Sequence, residues 1–203
     1  MIKNIVFDLG GVLVPLNRRA CEDAFHAIGF DDFGKILNEY VQGGFFLEYE
    51  KGAITTSEFR DILRSYIENE VTNDQIDFAM GSFLEVISDD KLEFLISLKK
   101  KFRLYMLSNT NEIAMRVVRP FFNKGNLTIN DYFDKLFLSY EMKMAKPDSD
   151  IFIKMANDAS FEASETLFID DSPANIQTAQ CLGFHTLLFN HDMNLKTEVE
   201  KLI

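Results

Sequence analysis

The chain has no tryptophan, two cysteines, three histidines and four prolines among its 203 residues, and each scarcity removes a class of function. Cys21 and Cys181 are far apart and lack metal-site spacing, so reduced thiols and a cytoplasmic setting are expected rather than a disulfide framework. His26, His185 and His191 have no ligand-like spacing to one another or to the acids, which argues against a histidine-based mechanism. No apolar run approaches the roughly 18 residues that cross a bilayer. The opening "MIKNIVFDLG" also lacks the long apolar stretch and cleavage site of a signal peptide. Basic residues are in deficit: 21 Lys and Arg against 32 Asp and Glu leave a net charge of −11. That summed field repels nucleic acid and anionic membrane alike, so neither is an expected partner.

What is present suffices for a globular core. The 47% hydrophobic content includes 20 Phe, and the length suits one domain or a domain carrying an insertion. Short apolar runs stand at "IVF" before Asp8, "FRLYML" before Ser108, "KLFLS" at 135–139, "TLFI" before Asp170 and "HTLLF" at 185–189. Helical patterns lie between them, as in "SDDKLEFLISLKKKF". There Ser88 stands at the N-cap, acids follow in the first turn, and Lys99, Lys100 and Lys101 close the end. In "SPANIQTAQCLGF", Pro173 suits a first helical turn and Gly183 a position just past the end. Alternating strands and helices predict an α/β fold with a Rossmann-like parallel sheet covered on both faces. Residues 16–87 break the alternation. Four stretches, "NRRACEDAFHAIGF", "DDFGKILNEYVQ", "TTSEFRDILRSYIENE" and "TNDQIDFAMGSFLEVI", have helical spacing with no strand between them. The expected division is a core of 1–15 and 88–203 with an inserted helical segment of 16–87, closely packed because no Pro/Gly/Ser linker bounds it.

In an open parallel sheet, ligands collect outside the carboxyl ends of the strands. The polar residues following those ends are Asp8, then Ser108 and Asn109 in "LSNT", then Lys146 in "MAKPDSDIF", then Asp170 and Asp171 in "FIDDSPANI". These supply a carboxylate nucleophile, a hydroxyl with backbone amides, a cation and a carboxylate pair. Such a set suits phosphoryl transfer. A carboxylate can attack phosphorus to form an aspartyl-phosphate that water then opens, and the accompanying negative charge must be met by cations and oriented donors.

The four segments "DLGGVL", "SNT", "KP" and "DDSPAN", in this order along nearly the whole chain, resemble the haloacid dehalogenase superfamily. The inserted helices resemble its α-helical cap. The resemblance implies a hydrolase with Asp8 as nucleophile. It further implies a Mg²⁺ ion held by Asp8, the carbonyl of Gly10, Asp171 directly and Asp170 directly or through water. It assigns phosphate binding to Ser108, Asn109 and Lys146, with the Thr110 amide beside them, and lets Asn175 orient Lys146 or the carboxylates. The expected substrate is a small phosphorylated metabolite.

Most phosphatases of this superfamily carry a second Asp two residues after the nucleophile, where it protonates the leaving group and later activates water. Here that position is Gly10. The carbonyl ligand survives the change, but proton-transfer help commonly worth about 10²–10⁴ in rate does not. An active phosphatase resembling the branch that dephosphorylates glucose 1-phosphate, or the phosphatase domain of soluble epoxide hydrolases, is the preferred reading, with a better leaving group such as an anomeric hydroxyl favoured. A non-catalytic phospho-ligand binder and a 2-haloacid dehalogenase remain as alternatives, the adjacent acids weighing against the latter. In the cap, Asn17 and Arg18, with Arg19, are candidates to face the leaving group. Gly43, Gly44, Phe45 and Phe46 suggest a hinge and pocket wall, and Tyr49-Glu50-x-Gly52 resembles the cap of the same sugar-phosphatase branch.

Overall fold

The computed structural model describes residues 1–36 and 44–203. Five strands, β1 (Asn4–Phe7), β2 (Arg103–Ser108), β3 (Lys135–Leu138), β4 (Thr166–Asp170) and β5 (His185–Leu188), form one sheet in the order β3-β2-β1-β4-β5. Every pairing is parallel. The strands coincide with the apolar runs of the sequence to within a residue or two. The expected segment at 135–139 ends one residue early because Ser139 opens the short helix α9 (Ser139–Met142).

A strand buried on both faces is largely apolar, and β1 follows with Ile5, Val6 and Phe7; its first residue, Asn4, is buried too and donates to Thr166 Oγ1 of β4 at 3.3 Å. Ile5 and Phe7 point to one face, where they meet α6 (Asp89–Lys99), α7 (Glu112–Phe121), α8 (Ile129–Tyr132) and α12 (Leu195–Glu200) through Leu95, Met115, Tyr132 and Val199. Val6 points to the other, against Ile151 and Phe152 of α10 (Ser149–Ala159) and Ile176 and Ala179 of α11 (Pro173–Cys181). Pro173 takes the first helical position, and Gly183 follows α11 at φ +88°, as the sequence predicted for each.

Among the described residues between β1 and α6, the regular elements are helices: α1 (Arg18–Ala27), α2 (Phe33–Ile36), α3 (Gly44–Glu50), α4 (Thr56–Arg64) and α5 (Asn73–Gly81). Two start with reciprocal caps. Thr55 accepts from the Glu58 amide while Glu58 accepts from the Thr55 amide, and Thr72 and Gln75 repeat the pattern. These helices share a cluster separate from the two beside the sheet, built from Phe25, Phe30, Phe33, Phe46, Tyr49, Phe59, Leu63 and Ile76. Its aromatic rings pack on one another, with Phe25 and Phe33 stacked at 3.7 Å between ring centres. The same cluster takes in Ile113 from α7, so the helical segment grips the core beside the end of β2.

Candidate active site

Strand register builds the site. Phe7 pairs with Ile169, so the next residues of each strand, Asp8 and Asp170, stand level at the carboxyl end of the sheet. The Asp8 amide extends the ladder by donating to the Ile169 carbonyl at 2.9 Å. Side chains alternate across a strand, so both carboxylates turn to the α10 and α11 face, where Lys146 enters from the loop ahead of α10. The Lys146 ammonium donates to Asp8 Oδ1 at 2.8 Å, to Asp170 Oδ2 at 2.6 Å and to the Leu107 carbonyl at 2.9 Å, which uses all three of its protons. Exposure of these residues is 8% for Asp8, 4% for Lys146 and 0% for Asp170.

Burial in this group decides protonation. It is the largest influence on Asp8, and with Asp170 and Asp171 close by it outweighs the pull of Lys146, leaving the carboxyl pushed up to about 7. Asp171 is likewise raised, by burial first and by Asp170 second. Burial acts on Lys146 in the opposite sense, but Asp170 and Asp8 overcome it and hold the ammonium above its ordinary range. The remaining capacity of Asp170 is filled by the Ser172 amide at 2.8 Å and by Asn175 Nδ2 at 2.9 Å, both on Oδ1. Asn175, at the start of α11, thus holds the Asp170 carboxylate in place.

Asp8, Asp170 and Asp171 can each bring an oxygen within 4.8 Å of the others, a hard, anionic donor set of the kind Mg²⁺ takes. Close approach by Asp171 explains Gly11. That residue has φ +77°, and a Cβ on it would overlap the Asp171 carboxylate. Gly11→Ala is thus expected to displace Asp171, weakening Mg²⁺ binding about 10–100-fold and lowering stability by about 1–2 kcal/mol. Calorimetric Mg²⁺ titration beside a denaturant melt would check both, and unchanged metal affinity would remove Asp171 from the site. Gly10 differs. Its Cβ position faces Leu16 Cδ2 at 3.2 Å, so an aliphatic side chain lies where a second acid would project.

The other residues singled out in the sequence divide. Ser108 is buried at the end of β2, beside this group. Asn109 was expected to offer its backbone amide to phosphate; its side chain has a job of its own. Its Oδ1 accepts from the Lys146 amide and its Nδ2 donates to the Lys146 carbonyl, both at 2.8 Å, fixing the lysine backbone. The Thr110 amide, expected to be open for phosphate, instead donates to Ser139 Oγ at 2.9 Å. Ser139 itself, 0% exposed, was missed in the sequence; its one signal there is a hydroxyl directly after an apolar strand. Asn17 and Arg18 do not join the acidic group. Asn17 caps α1 by accepting from the Ala20 amide and donates to Glu85, whereas Arg18 pairs with Glu22 and donates to the Gly34 carbonyl. Arg19 is exposed and lies 3.8 Å from Asp23. Phe45 and Phe46 pack on Tyr66 and Phe59 within the aromatic cluster rather than lining a pocket. Gly43 lies outside the described residues.

Residues 2–183 match the haloacid dehalogenase-like hydrolases. The chain belongs to that family. The hydrolase is 40% identical over 187 residues, 92% of its own length and 91% of the relative's, to the D-ribitol-5-phosphate phosphatase of Bacteroides thetaiotaomicron. Among solved structures, a family enzyme from the same organism in complex with magnesium and inorganic phosphate superposes with a TM-score of 0.90 at 40% identity. The match covers 98% of the hydrolase and 99% of that enzyme. A predicted family hydrolase from Porphyromonas gingivalis gives 0.92 at 42% identity, covering 100% and 98% of the two chains. No helix among the described residues is long and apolar enough to cross a membrane.

Proposed function

We propose that this hydrolase is a Mg²⁺-dependent phosphomonoesterase of small polyol or sugar phosphates, working in the cytoplasm through an aspartyl-phosphate on Asp8, with residues 16–87 as the cap over the site. The observation that carries this reading is the buried group of Asp8, Lys146 and Asp170 at the sheet's carboxyl end, with Asp171 beside it. The relative of 40% identity that acts on D-ribitol 5-phosphate supports the class of substrate. Ribitol 5-phosphate is the ester of a primary alcohol, so this relative favours an open-chain polyol phosphate over the anomeric phosphate that Gly10 alone suggests.

Asp8, the Gly10 carbonyl, Asp171 and Asp170 would hold Mg²⁺, which when bound draws charge off the phosphoryl oxygens. Lys146 adds a fixed positive charge beside the nucleophile, and Asn109 keeps that charge in place through its backbone. Ser108 offers its hydroxyl to a phosphoryl oxygen. Asp8 attacks phosphorus, the ester oxygen departs, and water then cleaves the acyl phosphate to return the carboxylate.

Phosphate release from pentitol 5-phosphates, aldose 5- or 6-phosphates and aldose 1-phosphates, each with Mg²⁺ and with chelator, tests the proposal. Metal-dependent release ranked highest for the pentitol esters is expected. A folded protein that binds Mg²⁺ and phosphate yet releases nothing would be a binder instead. Metal uptake carries its own signature. Because Asp8 in the metal-free protein is pushed up to about 7, it holds a proton below that pH, and the ion must displace it. Apparent Mg²⁺ affinity is therefore expected to fall about tenfold per pH unit below 7 and to level off above it. Calorimetry in two buffers of different ionisation enthalpy reads the released proton; equal heats at pH 6.5 would contradict the coupling.

A further inference from the structure

If a primary alkoxide is the leaving group, something must protonate it, and Gly10 has no side chain to do so. The geometry points to the cap. Helix α3 ends at Glu50, and the residues on either side of Glu50 are fastened to the core around the site. Before it, the Tyr49 hydroxyl accepts from the Ile113 amide at 3.3 Å and bonds Thr56 Oγ1 at 3.0 Å, while Thr56 donates to Glu112 at 2.5 Å. After it, Lys51 reaches Asp148 at 3.1 Å and the Gly52 carbonyl accepts from Lys143 at 2.6 Å. Gly52 has φ +57°, and a Cβ there would collide with the Tyr140 carbonyl, so the cap backbone lies directly on α9, the helix that precedes Lys146. Glu50 is thereby held, half-buried, at the seam between cap and core, within electrostatic reach of Asp8 and Lys146.

We propose that Glu50 performs the two proton transfers for which this chain lacks a residue at position 10. Resting on the phosphatase reading above, the sequence of events is balanced as follows. Asp8 Oδ attacks phosphorus as the bond to the ester oxygen breaks, and the Glu50 carboxyl gives its proton to that oxygen, so a neutral alcohol leaves. The resulting Glu50 carboxylate then takes a proton from water as the water oxygen attacks the phosphorus of the aspartyl-phosphate. Breaking that phosphorus–Oδ bond returns the Asp8 carboxylate, inorganic phosphate and a protonated Glu50. Its environment suits this cycle: burial, the largest influence on Glu50, raises its carboxyl above the ordinary range, toward the protonated form a proton donor needs.

The test compares two substrates on the full chain with Mg²⁺: a pentitol 5-phosphate, whose alkoxide needs a proton, and 4-nitrophenyl phosphate, whose phenolate does not. With Glu50→Gln, kcat on the pentitol ester should fall about 10²–10⁴-fold with KM little changed. On the aryl ester, the first turnover should persist as a burst of nitrophenol equal to the enzyme, followed by slow release, because the water step has lost its base. Glu50→Asp, which draws the carboxylate back by one methylene, should recover part of the alkyl-ester rate, and titration with Mg²⁺ alone confirms that each variant's site is formed. The proposal is overturned if Glu50→Gln keeps kcat within threefold on the pentitol ester. It is equally overturned by a loss confined to KM, or by equal losses on both substrates without a burst; Glu50 would then contact a substrate hydroxyl only. A wild-type protein with no metal-dependent phosphate release fails earlier, at the phosphatase reading itself.

Discussion

Replacing Asp8 with asparagine is expected to reduce phosphate release by about 10⁴-fold or more, since the amide keeps the shape of the carboxylate but cannot attack phosphorus. The same change should leave the protein at least as stable at pH 8 as the wild type. The sign follows from Asp8 being pushed up to about 7 from 3.8, mainly by burial. An acid raised on folding binds more protons in the native state than in the unfolded one between those two values. Stability therefore falls as pH rises through that window, and above it the native state carries a charge it disfavours. Asparagine removes that charge, while Lys146 keeps its closer partner, Asp170 at 2.6 Å. Single-turnover assays and thermal melts at pH 5 and pH 8 would check the two halves. Retention of more than about one per cent of the wild-type rate would end the case for Asp8 as nucleophile.

Lys146→Met is expected to have the largest effect on stability. Methionine matches the stem of lysine but leaves Asp170, which has no solvent exposure, beside Asp8 without their shared cation. Breaking a buried pair by removing one partner typically costs about 3–5 kcal/mol, here read as a lowered urea midpoint at unchanged slope. Activity should be lost with it, because no other Lys or Arg among the described residues forms an ion pair with Asp8. Saturating Mg²⁺ should return part of the stability, since an ion bound only by the folded site favours that state. A cost below about 1 kcal/mol would mean that Lys146 is not the main counter-charge of the group.

Much of this was readable beforehand for a physical reason. Strands buried on both faces are short unbroken apolar runs, and β1, β2 and β4 show up as "IVF", "FRLYML" and "TLFI" because no solvent face interrupts them. The residue after each run is polar because it stands at the carboxyl edge of the sheet, which is why Asp8, Ser108 and Asp170 could be picked out one by one. Less legible was what depends on contacts between distant segments. Nothing local shows that the side chain of Asn109 clasps the backbone of Lys146 from 37 residues away. Nor does the sequence tell a basic pair facing a ligand from Arg18, whose guanidinium is taken up by Glu22 and the Gly34 carbonyl. Glu50 stood inside a run already noticed for its likeness to a cap, but its distance from Asp8 along the chain hides their proximity in space.

The strand order carries a consequence for how the chain is made. β1 is the middle strand of the sheet, yet it is synthesised before either neighbour: β2 begins at Arg103 and β4 at Thr166. Parallel pairing over such separations is slow, because the intervening chain must be closed before any ladder forms. Ile5, Val6 and Phe7 therefore stay without strand partners until Arg103–Ser108 has been made, a condition that invites association with other nascent chains. The helices at 18–81 carry their own aromatic cluster and their own caps, so they can condense early, on local contacts, while the strand that leads to Asp8 still waits for its place. Ile113 then supplies a ready surface on which the sheet assembles. In the order of birth, the part that would recognise the substrate takes shape before the part that would react with it.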